Sequence, residues 1–371
     1  MRTQRLSHSL ATLALLVVVA GCGRALVGAS DATKATNQAT TSAEAATASS
    51  RPSPSATPSV IQSLEGQIVF VDSGQDFHYS QLWLENADGS NVRQVVSDHY
   101  TNVSASLSPD GTRIVFGRIF TDSVEAAVAD PSLFGTLTLV NTDGSDLREI
   151  YTTERAKLCD VAPEGDAWSP DGTRLAYVRY CFDKDAQPVE AGLWTINADG
   201  TDPRQVTRTL PESKVQDHRA SWSPDGKSLT FQRIDTAVSP ERSAIFTIGI
   251  DGKGLFQVTP WSLDGNDPDW SPDGTLIAFN ASAEPSPTQN IYTIHPDGTG
   301  LAQLTKYSAS GQATFHPSWS PDGTQILFSH SPSTDGWGDF FVMNRDGSDQ
   351  HVIAKTALHE NQGQWGSPSV H

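Results

Sequence analysis

One tetrapeptide, Ser-Pro-Asp-Gly, recurs five times along this chain, each time directly after a large apolar residue. The copies read Leu107-Ser-Pro-Asp110-Gly111, Trp168-Ser-Pro-Asp171-Gly172, Trp222-Ser-Pro-Asp225-Gly226, Trp270-Ser-Pro-Asp273-Gly274 and Trp319-Ser-Pro-Asp322-Gly323. Their aspartates are 61, 54, 48 and 49 residues apart. A repeat of that length describes an array of small sheets rather than one continuous core. Pro sets φ for the start of a turn, Asp can bond its own backbone, and Gly supplies φ > 0, so each copy reads as a tight hairpin. Alternating apolar residues on either side, as in Thr173-Arg-Leu-Ala-Tyr-Val-Arg179, give half-buried strands.

A second hairpin lies between the copies. A short apolar strand runs into Asp-Gly at Asp88-Gly89, Asp143-Gly144, Asp199-Gly200, Asp251-Gly252, Asp297-Gly298 and Asp346-Gly347, which makes six. Two hairpins make one four-stranded unit, with strands A to D. The ends explain five against six. Gly66-Gln-Ile-Val-Phe70 looks like a strand B with no A before it, and Gln364-Trp365-Gly-Ser-Pro368 like an A with no B after it. Joined, they complete a sixth blade and remove two exposed sheet edges. The expected fold is therefore all-β: a six-bladed β-propeller of four-stranded antiparallel blades, closed by the C-terminal strand pairing into the first blade.

The repeats resemble those of the TolB-type propeller family, which carry the same WD-like Trp-Ser-Pro-Asp-Gly signature. The family pattern also places Asp five and Pro two residues before the Trp. Asp217 matches the first in blade 4, and Pro268 and Pro317 match the second in blades 5 and 6; blade 2 departs, with Leu107 for Trp. The resemblance covers residues 64–371. It implies a protein-docking platform, a propeller of the kind attached to serine peptidases, or a carbohydrate-acting protein. The type member works in the periplasm beside a peptidoglycan-associated lipoprotein and has an N-terminal α/β domain. Here an Ala/Thr/Ser/Pro-rich stretch stands in its place.

The N-terminus reads as a targeting segment. Arg2 and Arg5 precede an apolar run from Leu10 to Ala20, too short for a comfortable span and right for a signal peptide. Val19-Ala20-Gly21-Cys22 resembles a bacterial lipobox, so residues 1–21 are expected to be a lipoprotein signal peptide and Cys22 the lipidated residue. Residues 22–63 have no apolar period and are expected to be a disordered tether. This predicts an exported protein, anchored by lipid to the cell membrane or outer membrane, with its propeller outside the cytoplasm. The net charge of −18 argues against nucleic acid and against anionic membrane surfaces. The membrane is therefore expected as a partner only through the anchor.

No catalytic residue is assigned. The repeated aspartates are explained by their turns. No Gly-x-Ser-x-Gly, no His-Glu-x-x-His, no phosphate loop and no zinc quartet occurs. If a site exists, it belongs in the central channel. Three residues before each Trp (or its counterpart) stand Ser104, Gly165, Arg219, Asp267, His316 and Gln362, with Asn102, Asp166, Asp217, His218, Asn266, His359 and Glu360 nearby. From these, Asp166, Asp217, His218, Arg219, Asp267, His316, His359 and Glu360 are the candidate binding residues. Arg219, Asp267 and His316 fall in consecutive blades and should converge. The long B–C connections 120–135, 181–192 and 234–243 are a second candidate surface. Cys159 and Cys181 flank the Ser169–Gly172 turn almost symmetrically, so they should face each other and form a disulfide.

The expected function is an envelope binding or scaffolding module for protein or glycan. The alternative is an enzyme acting on cell-wall or extracellular carbohydrate; a convergent His, carboxylate and Arg cluster would favour it. No cofactor is expected, a channel-bound cation is not predicted, and any metal ligand set stays open.

Overall fold

The computed structural model describes residues 65–72, 80–121, 124–151, 157–282, 288–309, 312–332, 338–353 and 360–367. The side chains of Val124, Glu125, Glu164 to Asp166, Glu360 and Asn361 are not among those described. Cys22, the signal segment and the tether lie outside the described residues, as does His359.

Among the described residues, twenty-four strands form six four-stranded antiparallel sheets. In five of them the strands follow chain order, for example Val215–Trp222, Ser228–Asp235, Arg242–Gly249 and Phe256–Gln257 in blade 4. The inner strand A comes first and the outer strand D is only two to four residues long. The sixth sheet takes its inner strand, Glu360–Gly366, from the far end of the chain. There Trp365 lies opposite Ile68 and Gln364 opposite Val69, the predicted closure. Trp365 is buried between Ile68 and Phe70 of blade 1 and Leu327, Phe340 and Val342 of blade 6.

The tetrapeptide turns behave alike. In blade 3 the Asp171 carboxylate accepts from Ser169 Oγ (2.6 Å), Thr173 Oγ1 (2.8 Å) and Thr173 N–H (3.0 Å), while Gly172 takes φ +67°. Those donors hold the Asp171 carboxyl below the usual carboxylate range. Structural turn duty thus accounts for these residues fully.

The core lies between blades, not within one. Strands present one face to each neighbour, so Val115, Leu137 and Leu139 of blade 2 pack on Trp168, Leu175 and Tyr177 of blade 3. Polar contacts tie the inner strands together. Trp168 Nε1–H donates to the carbonyl of Ser106 (3.1 Å), Trp222 to Ala167 (3.0 Å) and Trp319 to Asp269 (3.2 Å). Each bond reaches back one blade. Blade 2 has Leu107 and no indole. Its N–H instead donates to Gln364 Oε1 of blade 1 (2.8 Å).

Two long connections differ from expectation. The blade 2 connection holds a short helix, α1 (Val124–Ala129), and packs down: Ala127 and Phe134 are buried against Val178, Tyr180 and Phe182 of blade 3. In blade 3 the expected loop is mostly strand, since B runs to Phe182 and C starts at Pro188. Both supply structure rather than a free loop surface. Cys159 and Cys181 are direct cross-strand partners and form a disulfide with an S–S distance of 2.06 Å.

Candidate functional site

Every inner strand breaks its own regularity at the same place. In blade 6, Phe315 pairs with Ser329 and Ser318 with Leu327, so two residues, His316 and Pro317, oppose the single Phe328. The same two-for-one bulge occurs at Ser104, Arg219 and Asp267. Its first residue is forced into the left-handed region: φ is +52° at Ser104, +55° at Arg219, +47° at Asp267, +50° at His316 and +52° at Gln362. None of these is glycine. Each such residue costs about 1 kcal/mol or more, and strain of this kind concentrates at functional sites. The bulge re-aims the side chain from the blade interface into the channel. There the five line one pocket, together with Pro268, Pro317 and Asp269. Its free volume is about 60 Å³.

Three of the five converge. Asp267 Oδ2 is 3.2 Å from His316 Nδ1, and Asp267 Oδ1 is 3.4 Å from Arg219 Nε. Asn280, with its amide oriented to suit its neighbours, donates to Asp267 Oδ2 at 3.0 Å. Burial alone would raise the Asp267 pKa, but His316 and Arg219 outweigh it and hold the carboxyl below the usual carboxylate range. An ionised carboxylate only accepts, so His316 Nδ1 carries the proton facing it. The other ring nitrogen, Nε2, is buried and has no hydrogen-bond partner among the described residues. On the opposite side of the ring, Ser104 N–H donates to Gln362 Oε1 (3.1 Å), a neutral link between blades 1 and 2.

The remaining candidates go elsewhere. Asp217 is fully buried in a bidentate pair with Arg233 of its own blade (2.6 and 2.9 Å). His218 is buried against Tyr180 of blade 3, whose hydroxyl lies 2.8 Å from the ring. Burial and the nearby Arg219 push its pKa down to about 3, so it is a neutral core histidine. Asp217 and His218 precede the bulge and keep the strand's normal alternation, which points them to opposite faces of the sheet and not into the channel. Asp166 and Glu360 lie on inner strands, but their side chains are not described.

Sequence reasoning passed over a second ring, one residue before each Trp. Ser106 Oγ accepts from Ala167 N–H (3.2 Å), Ser221 Oγ from Trp270 N–H (3.2 Å), and Ser318 Oγ from Trp365 N–H (3.0 Å). Asp269, also buried, accepts from Ser221 Oγ (3.0 Å) and Trp319 N–H (2.8 Å). The repeated serine at this offset was the available signal.

A family model described as the TolB beta propeller domain matches residues 61–369. An uncharacterized protein of Agrobacterium fabrum is 28% identical over 148 residues, 40% of this chain and 45% of the relative. The chain thus spans about half the length of that curated relative or less. Among solved structures, TolB from Acinetobacter baumannii superimposes with a TM-score of 0.60 at 17% identity, covering 82% of this chain and 67% of that one. A putative TolB from Agrobacterium tumefaciens gives 0.55 at 18% identity, with 80% and 91% covered.

Proposed function

The chain belongs to the TolB β-propeller family, and on that premise we propose that it is a lipid-anchored envelope module whose channel mouth docks a protein partner. The observation that carries this reading is the ring of five strained, non-glycine residues aimed into one pocket. Backbone strain of this kind concentrates at functional sites. In this reading Cys22 holds the anchor, residues 22–63 are the tether, and the propeller stands outside the cytoplasm. The test cross-links the full-length chain in cells and compares wild type with Asp267→Ala and His316→Ala, each checked for an intact melting transition. Loss of the same cross-linked species in both variants supports the reading. Persistence in both moves docking away from the channel. For the anchor, Cys22→Ala should release the protein from the membrane fraction.

The Arg219, Asp267 and His316 cluster also favours a second reading, catalysis on an envelope carbohydrate, since an Asp-held imidazole is a competent general base. Release of reducing ends from cell-wall polysaccharide by wild type, and not by His316→Ala, would establish it.

A further inference from the structure

We infer that a pocket on the outer rim of blade 5 binds a sugar acid, a sugar ring carrying one carboxylate. This site is separate from the channel and does not depend on the docking reading. It opens between strand C of blade 5 (Asn290–Ile294), strand D (Ala302–Gln303) and the connection that leads on to blade 6. Its free volume of about 290 Å³ admits a ring-sized guest and by itself selects none. The walls are held in place. Asn290 Oδ1 accepts from Thr305 Oγ1 (3.0 Å) and from Tyr307 N–H (2.8 Å), and its Nδ2 donates to the Tyr307 carbonyl (3.0 Å). The Tyr307 ring stacks on His330 of blade 6 with centroids 4.1 Å apart.

Four side-chain heads on those walls are left for a guest. Among the described residues Lys306 has no ion pair, and Tyr292 Oη, the Gln303 amide and Ser308 Oγ make no hydrogen bond within the protein. All four can donate. Burial raises the Tyr292 pKa, so its hydroxyl keeps its proton at neutral pH. The lining holds one lysine and no carboxylate, inside a chain of formal charge −18. That local reversal of sign favours an anion, and one ammonium matches a monoanion. Phosphate near neutral pH carries close to two charges, and the second would meet only neutral groups. The neutral hydroxyls and amide suit the hydroxyls of a sugar. A peptide C-terminus is typically caught by clustered backbone N–H groups. Here Leu304 and Thr305 already donate theirs to the Ile291 carbonyl, and Tyr307 donates to Asn290.

The experiment titrates full-length protein with methyl glucuronide and follows saturation transfer to the sugar by NMR. The comparison probes are its uncharged methyl ester, methyl glucoside, acetate, inorganic phosphate and acetyl-Ala-Ala with a free C-terminus. The expected result is saturable binding of the glucuronide, weakened about tenfold or more in the ester and the glucoside. Lys306→Met should weaken it by a similar factor at an unchanged melting temperature, since Lys306 is exposed. Asp267→Ala and His316→Ala should leave it intact. A silent glucuronide overturns the assignment, as does an ester that binds equally well. Equal binding of acetate or phosphate reduces the pocket to a general anion patch and overturns it too. Tighter binding of the dipeptide points instead to a protein C-terminus. Binding that survives Lys306→Met, or is lost in the channel variants, places the sugar elsewhere. Because the channel variants are read separately, failure here leaves channel docking standing, and failure of docking leaves this site standing.

Discussion

Two rings of side chains come from the same six strands, two residues apart, and they have opposite characters. The ring one residue before each Trp is repetitive and structural. Ser106, Ser221, Asp269, Ser318 and Gln364 each accept a backbone N–H from the next blade, so the bonds span five of the six blade junctions; at the sixth, between blades 3 and 4, the position is held by Ala167, which has no side-chain acceptor. The ring three residues before each Trp is chemically uneven and strained, with five left-handed residues of five different kinds. One position satisfies the neighbour's backbone; the other spends conformational energy to face the channel. Stability and recognition are thereby assigned to different residues of one strand, separated by a bulge.

The largest effect that would test this division comes from removing a whole contributor to the structural ring. Deleting residues 364–371 takes away Gln364 and Trp365. Losing a buried Trp alone costs about 3–5 kcal/mol, a large part of the ~5–15 kcal/mol that holds a domain together. The melting temperature should fall by roughly 10 °C or more. A change of a degree or two would refute closure as a source of stability.

Next comes a single residue of the structural ring. Asp269→Ala leaves Trp319 N–H and Ser221 Oγ without their acceptor. It should cost about 2–3 kcal/mol in denaturant unfolding. The comparison breaks if Asp269→Ala is harmless while Ser104→Ala, two rings of logic away, is not.

His218 sharpens the boundary, since it stands immediately before the bulge and turns inward. Folded, it takes up a proton only near pH 3; unfolded, it does so near 6.5. Between those values the unfolded state binds the extra proton, so stability falls as pH falls through that window. At pH 5 the loss is about 2 kcal/mol relative to pH 7. His218→Phe should flatten the urea midpoint between pH 4 and 6.5. An unchanged slope would mean that His218 is not a buried neutral group.

The smallest effect has the opposite sign. Ser104→Gly relieves a left-handed residue at φ +52° and should raise stability by about 0.5–1 kcal/mol. A destabilised variant would show that the recognition ring also carries load in the fold.

The blades were legible because their turns are local chemistry: Ser-Pro-Asp-Gly fixes a hairpin without help from the rest of the chain. Closure was legible because a half-blade at each end has only one partner. The channel ring was found by offset, and Arg219, Asp267 and His316 do meet. Asp217 and His218 could not be separated from Arg219 by pattern alone. The bulge inserts a residue into a period of two, and nothing in Asp-His-Arg-Ala marks where the alternation slips. The short helix between Phe120 and Gly135 was hidden for another reason. Phe134 and Ala127 find their partners on the next blade, a contact no local pattern encodes.

The seam between Glu65 and Trp365 has a consequence for how the molecule is made. Its hydrogen bond joins residues 300 apart in sequence. A ribosome delivers the other inner strands first, so five blades and three-quarters of a sixth wait with the edge of Gln67–Asp72 unpaired until the closing strand emerges. The ring therefore cannot be sealed on a prematurely ended chain, and shortened products keep sticky edges that mark them for aggregation or proteolysis. The closing strand works as a checkpoint: the ring is sealed only once Glu360–Gly366 has been made.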